Sequence, residues 1–153
     1  MRAYSLAPSA TEQLLERLGF EPLGDGWETR GAIRGGLYAN DEPSDERRLA
    51  GAGTVHHVAF SSTPADHEAW RALAIEAGAR PTDVIDRFYF RSVYFREPGG
   101  VLFEIATMGP GFAVDEPAES MGESLSLPPA FEPLRERLDS ALTPLRNPRQ
   151  VGA

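Results

Sequence analysis

No cysteine occurs among the 153 residues, which removes disulfide frameworks and thiolate chemistry and leaves only nitrogen and oxygen donors for any metal. Positive charge is scarce as well: 15 basic residues face 23 acidic ones, for a net charge of −8. Phosphate backbones and anionic membranes need a basic surface that releases counterions, so neither nucleic acid nor a membrane is an expected partner. Long apolar runs are also missing. Nothing approaches the roughly 20 residues that span a bilayer. The start Met1-Arg2-Ala3-Tyr4-Ser5-Leu6-Ala7-Pro8 lacks the apolar stretch of a secretion signal. These absences point to the cytoplasm. At 41% hydrophobic, the chain suffices for one compact domain that buries roughly two-thirds of its unfolded surface.

What is present is an internal repeat. Two Gly-x-x-Pro pieces, beginning at Gly19 and Gly78, lie 59 positions apart, and two Gly-Gly turns, at Gly35 and Gly99, lie 64 apart. Each follows the order strand, helix and three strands. Ser9 and Glu12 could form a capping box for the first helix, Leu14, Leu15 and Leu18 give it an apolar face, and Gly19 suits a left-handed C-terminal cap. Trp70, Leu73, Ala74 and Ala77 do the same for the second. The fold class expected is α+β: two paired βαβββ modules in a curved, mixed, mostly antiparallel sheet with outer helices and a C-terminal helix. The first module covers residues 1–40, a solvated linker 41–52, the second module 53–107, and an extension with the final helix 108–153.

The chemistry concentrates in the second module. The segment Thr54-Val55-His56-His57-Val58-Ala59-Phe60 and, further on, Pro98-Gly99-Gly100-Val101-Leu102-Phe103-Glu104-Ile105 each read as a strand with one metal ligand. A His and a Glu on neighbouring strands make two-thirds of the 2-His-1-carboxylate triad of non-haem Fe(II) oxygenases. Alternation puts Val101, Phe103 and Ile105 on one face and Glu104 on the other, with Ser92, Tyr94 and Arg96 of the preceding strand beside it. His57 shares its face with Val55 and Ala59. His56 points the other way and suits a supporting role. The remaining histidine, His67, falls in the first turn of a helix and reads as solvated. The bland alternatives are a hydrogen-bonded strand histidine at position 57 and a salt-bridged carboxylate at Glu104. A Glu amid Val-Leu-Phe and Ile-Ala-Thr is costly to bury without a cationic partner. Gly99-Gly100 are a weak phosphate-binding signal, because neither a lysine nor a helix follows them.

This paired βαβββ pattern resembles the vicinal oxygen chelate superfamily, which includes glyoxalase I, bleomycin-resistance proteins and extradiol dioxygenases. Three stretches carry the likeness further: Gly51 to Phe60, Val84-Ile85-Asp86-Arg87, and Tyr89 to Gly100. With Gly109-Pro110-Gly111-Phe112-Ala113-Val114-Asp115-Glu116, they are similar to ring-cleaving dioxygenases of hydroquinone-type substrates. The likeness implies a glyoxalase-like cup and a C-terminal half of a longer, four-module architecture. In that family a His from the N-terminal half joins a His and a Glu on Fe(II), and the latter two carry over to His57 and Glu104. The resemblance also implies that Tyr94 lies beside the metal and that Arg87 holds an anionic substrate oxygen. Their alternatives are a cavity-lining aromatic and a surface Arg paired with Asp83 or Asp86. In the first module Arg2 mirrors His57, and Tyr38 and Ala39 stand where a carboxylate is needed, so internal symmetry does not restore the triad.

Three functions follow as expectations. The first is an Fe(II)-dependent ring-cleaving dioxygenase, or its metal-bearing half, with Mn(II) or Zn(II) as alternative ions and a small aromatic plus O₂ as substrates. The second is a metal-poor module, similar to bleomycin-resistance proteins, that sequesters a small aromatic or antibiotic in the cup between the repeats. The third is an inactive half-protein. A homodimer, or a separate N-terminal half supplying the third ligand, is the expected partner.

Overall fold

The structure, a computed structural model, describes residues 1–43 and 51–145. The greater part of the expected linker and the last eight positions of the extension lie outside the described residues. The first module comprises β1 (Arg2–Tyr4), α1 (Pro8–Arg17), β2 (Glu21–Leu23), β3 (Gly26–Arg30) and β4 (Gly35–Asp41). The second comprises β5 (Val58–Ser62), α2 (His67–Glu76), β6 (Ile85–Asp86), β7 (Arg91–Arg96) and β8 (Leu102–Thr107). The chain is therefore α+β, as expected. Each module forms its own four-stranded mixed sheet, ordered β1-β4-β3-β2 and β5-β8-β7-β6, in which the first strand runs parallel to the last. The expected final helix is divided: a 3-10 turn at Pro129–Leu134, with Pro133 inside it, precedes α3 (Arg135–Ala141). No helix of the described residues is long and apolar enough to cross a membrane.

Both major helices end alike, for the same local reason. Gly19 and Gly78 adopt φ of 82° and 92°. Each lets the next residue turn back, so that Phe20 N bonds Leu15 O and Ala79 N bonds Ala74 O. The starts differ from expectation. Helix α1 begins at Pro8, before Ser9 can cap it, and its N-cap Ala7 makes no side-chain bond. In the other module a reciprocal pair closes the turn before α2, where Thr63 N bonds Asp66 Oδ1 at 2.7 Å and Asp66 N bonds Thr63 Oγ1 at 3.3 Å, while the N-cap Asp66 makes no side-chain cap bond to the helix.

The two modules share one core. Leu14, Leu15, Leu18, Phe20 and Tyr38 of the first cluster with Ala74, Val93, Phe95, Phe103 and Ile105 of the second. Phe103, fully buried, meets Tyr38, Phe60 and Phe95 edge-on at 5.4, 5.2 and 5.8 Å. Tyr38 thus corresponds to Phe103, and Ala39 to Glu104. Ala39 pairs with Arg2, as Glu104 pairs with Ala59. The mirror of Ala59 is therefore Arg2, a correction to the correspondence between Arg2 and His57; the counterpart of His57 would fall two positions before Arg2, outside this sequence.

A buried carboxylate that the sequence did not flag ties the modules together. Glu97 is 2% exposed. It accepts from Gly99 N and Val101 N, each at 2.7 Å, and from the Thr11 hydroxyl of α1. Gly99 is needed there, since a Cβ would collide with the buried Ser5 hydroxyl. Removing the carboxylate orphans three donors, two of them backbone. We expect Glu97→Ala to cost about 3 kcal/mol and Thr11→Val about 1 kcal/mol, measured by urea unfolding; losses below about 0.5 kcal/mol for both would contradict this account of the junction.

Candidate metal centre

Register places the candidate ligands. Strand β8 lies between parallel β5 and antiparallel β7, with Ala59, Glu104 and Tyr94 in one row. Phe103 and Ile105 point into the shared core, so Glu104 projects from the opposite face, away from the core side chains of the first module. His57, two residues before Ala59, reaches the same face. Its Nε2 lies 2.8 Å from Glu104 Oε2, with Glu104 almost fully buried and His57 about one-third exposed.

Two acceptor atoms that close need a proton or a cation between them. A proton on His57 Nε2 serves in the structure as it stands. Donors bound at about 2.1 Å and at right angles to one ion sit about 3 Å apart, so the observed spacing also fits neighbouring ligands of one metal. The far atoms are engaged too: Ser92 Oγ donates to Glu104 Oε1, and His57 Nδ1 lies 3.0 Å from His56 Nδ1. His56 does not point away as alternation suggested, because β5 begins only at Val58; the preceding backbone lets the two rings meet at 5.2 Å, edge to face. His56 contacts the atom of His57 remote from Glu104, and among the described residues no third His, Asp or Glu completes the group.

The remaining candidates line the same face. The Tyr94 ring packs edge-on to His57, 6.0 Å between centroids. Arg87 lies over the Tyr94 ring, with Cζ 5.3 Å from its centroid. Neither carboxylate expected to pair with Arg87 does so. Asp83 is bound by Arg71 at 2.8 Å, and Asp86 Oδ1 accepts from Phe88 N at 2.7 Å. A mostly apolar cleft lined by Leu18, Phe20, Phe60, Trp70, Phe95 and Ile105, together with Thr29 and Ser61, opens between the modules.

No family model matches the chain. A Bacillus subtilis strain 168 protein, provisionally named ring-cleaving dioxygenase MhqE, is 39% identical over 147 residues, covering 93% of this chain and 48% of its own. The chlorohydroquinone/hydroquinone 1,2-dioxygenase of Sphingobium indicum is 36% identical over 105 residues, covering 67% of this chain and 32% of its own. A solved structure from Bacillus subtilis, provisionally called a dioxygenase, matches with a TM-score of 0.82 and 40% identity, covering 95% of this chain and 49% of that one. The chain spans about half, or less, of these relatives.

His67 departs from the solvated reading. It opens α2 at 2% exposure, with Nδ1 2.8 Å from Ser62 Oγ and a buried Nε2 that has no hydrogen-bond partner among the described residues. Burial lowers its pKa, and Arg91 adds to the lowering against the opposing pull of Glu68 and Asp66. A lowered folded-state pKa means that the unfolded chain binds the proton first. The stability His67 contributes is complete above the ordinary histidine value, near pH 6.5, and is lost as pH falls from there through the lower folded-state value. Urea midpoints at pH 7.5 and 5.5 should therefore fall less in His67→Asn than in the parent; parallel losses would refute this assignment.

Proposed function

Since the chain belongs to the vicinal oxygen chelate superfamily, we propose that it is the metal-bearing half of an Fe(II)-dependent ring-cleaving dioxygenase. Its substrates on this reading are dihydroxybenzenes of the hydroquinone type. The observation that carries the reading is the pairing of His57 Nε2 with Glu104 Oε2 at 2.8 Å, on a face that also presents Tyr94 and Arg87. His57 and Glu104 would hold the ion. Bound there, ferrous iron supplies a site where the substrate oxygen and O₂ are brought together and activated.

The protein's own groups do the rest. To present a lone pair from Nε2, His57 would carry its proton on Nδ1, 3.0 Å from His56 Nδ1, and a hydrogen bond donated there would fix the ring's tautomer and orientation. The Tyr94 phenol offers a hydrogen bond to a substrate oxygen and a station for the proton that a hydroxyl releases. Arg87, free of an ion pair among the described residues, places positive charge where a phenolate develops. A third ligand has to come from beyond the described residues. A separate N-terminal half or a second copy of the chain fits the half-length match to the relatives.

A second reading is supported by the apolar cleft between the modules. Four aromatic side chains there, Trp70 among them, could stack on a small planar molecule with no metal involved.

The readings separate by experiment. The chain alone should retain iron weakly, and both His57→Ala and Glu104→Gln should abolish what it retains. Oxygen uptake with hydroquinone should require the ligand-supplying partner and disappear in either variant. Should neither substitution change iron content or oxygen uptake, while hydroquinone still quenches Trp70 fluorescence, the sequestration reading replaces the dioxygenase.

A further inference from the structure

Ser92 is a poor residue for its position. It stands inside β7, 0% exposed, where a β-branched or aromatic side chain would favour the strand and fill the space. A buried hydroxyl costs stability unless it is bonded. Its side chain has one hydrogen-bond partner among the described residues, Glu104 Oε1. The carboxylate is thereby divided: Oε1 accepts the Ser92 hydroxyl's hydrogen bond, while Oε2 faces His57 Nε2 at 2.8 Å. Free rotation about the last bond of a glutamate would otherwise let either oxygen, or both, face the ion.

We infer that Ser92 is a positioning residue of the metal centre, holding Glu104 so that Oε2 alone is offered beside His57. This rests on the metal-site reading given above. Binding through one oxygen keeps the neighbouring positions free for the missing ligand and for the substrate. It also disfavours Ca(II), which takes six to eight oxygens and often both from one carboxylate. The hydroxyl thus serves two ends, orienting the ligand and narrowing the class of ion to small divalent transition metals. His56 does the corresponding work on His57 from the other side.

The test titrates Mn(II) into the full-length ¹⁵N-labelled chain and follows paramagnetic broadening of amide signals, which reads weak binding without any turnover. Broadening should centre on His57 and Glu104. Affinity should fall about tenfold or more in Ser92→Ala, and by less in Ser92→Cys, whose thiol is a weak donor of similar size, while circular dichroism shows all three chains folded. If Ser92→Ala does not fold, Ser92→Cys decides. Parental affinity in the folded Ser92 variants, even with reduced thermal stability, would show that the hydroxyl only satisfies a buried carboxylate, and would overturn the inference alone. Absence of broadening at His57 and Glu104 in the parent would overturn the metal-site reading and this inference with it.

Discussion

Everything in the site hangs on the register of β8. Its parallel pairing with β5 sets Glu104 beside Ala59, and its antiparallel pairing with β7 sets it beside Tyr94. A slip of one residue would turn Glu104 into the core and expose Phe103. Two forces oppose that slip. Phe103 is gripped edge-on by three aromatic rings from both modules, and Glu97 fixes the turn that feeds β8 through Gly99 N and Val101 N. The first module, which contributes none of the site's named residues, supplies Tyr38 to the first grip and Thr11 to the second. Its contribution to the site is to hold the strand still.

Much of this was legible in the sequence because strand alternation is local. Val101, Phe103 and Ile105 against Glu104 declare two faces, and Ser92 and Tyr94 declare the matching face next door. The Gly caps of both helices were equally readable, since φ near +90° is open to glycine and costly to other residues. What could not be read depends on packing between distant segments. Glu97 sits in Glu-Pro-Gly-Gly, a sequence with every mark of a solvated turn, yet it is buried where Thr11 of α1, distant in sequence, donates to it. His67 reads as a first-turn residue, and it is one; its burial and its bond to Ser62 do not follow from that position. Arg87 had two acidic neighbours in sequence, but Arg71 and the Phe88 amide take them.

The orientation of the site face bears on how the site is completed. The side chains of β7 and β8 that face the first module are apolar, while those that carry chemistry face the other way. Repeat symmetry within the chain therefore offers the site nothing: Ala39 stands where Glu104 does, and Arg2 where Ala59 does. Relatives of about twice the length have another half with which such a face could be closed. On this account the chain is a preorganised pair of ligands, each steadied by a neighbour, awaiting a third from outside.

The central claim is that His57 and Glu104 bind one ion together. Crystals of the chain soaked anaerobically with Fe(II) and measured on either side of the iron absorption edge test it most directly. The account predicts one anomalous peak about 2.1 Å from both His57 Nε2 and Glu104 Oε2. A peak elsewhere, or iron bound through His56 or His67 with Glu104 still hydrogen-bonded to His57, would contradict it.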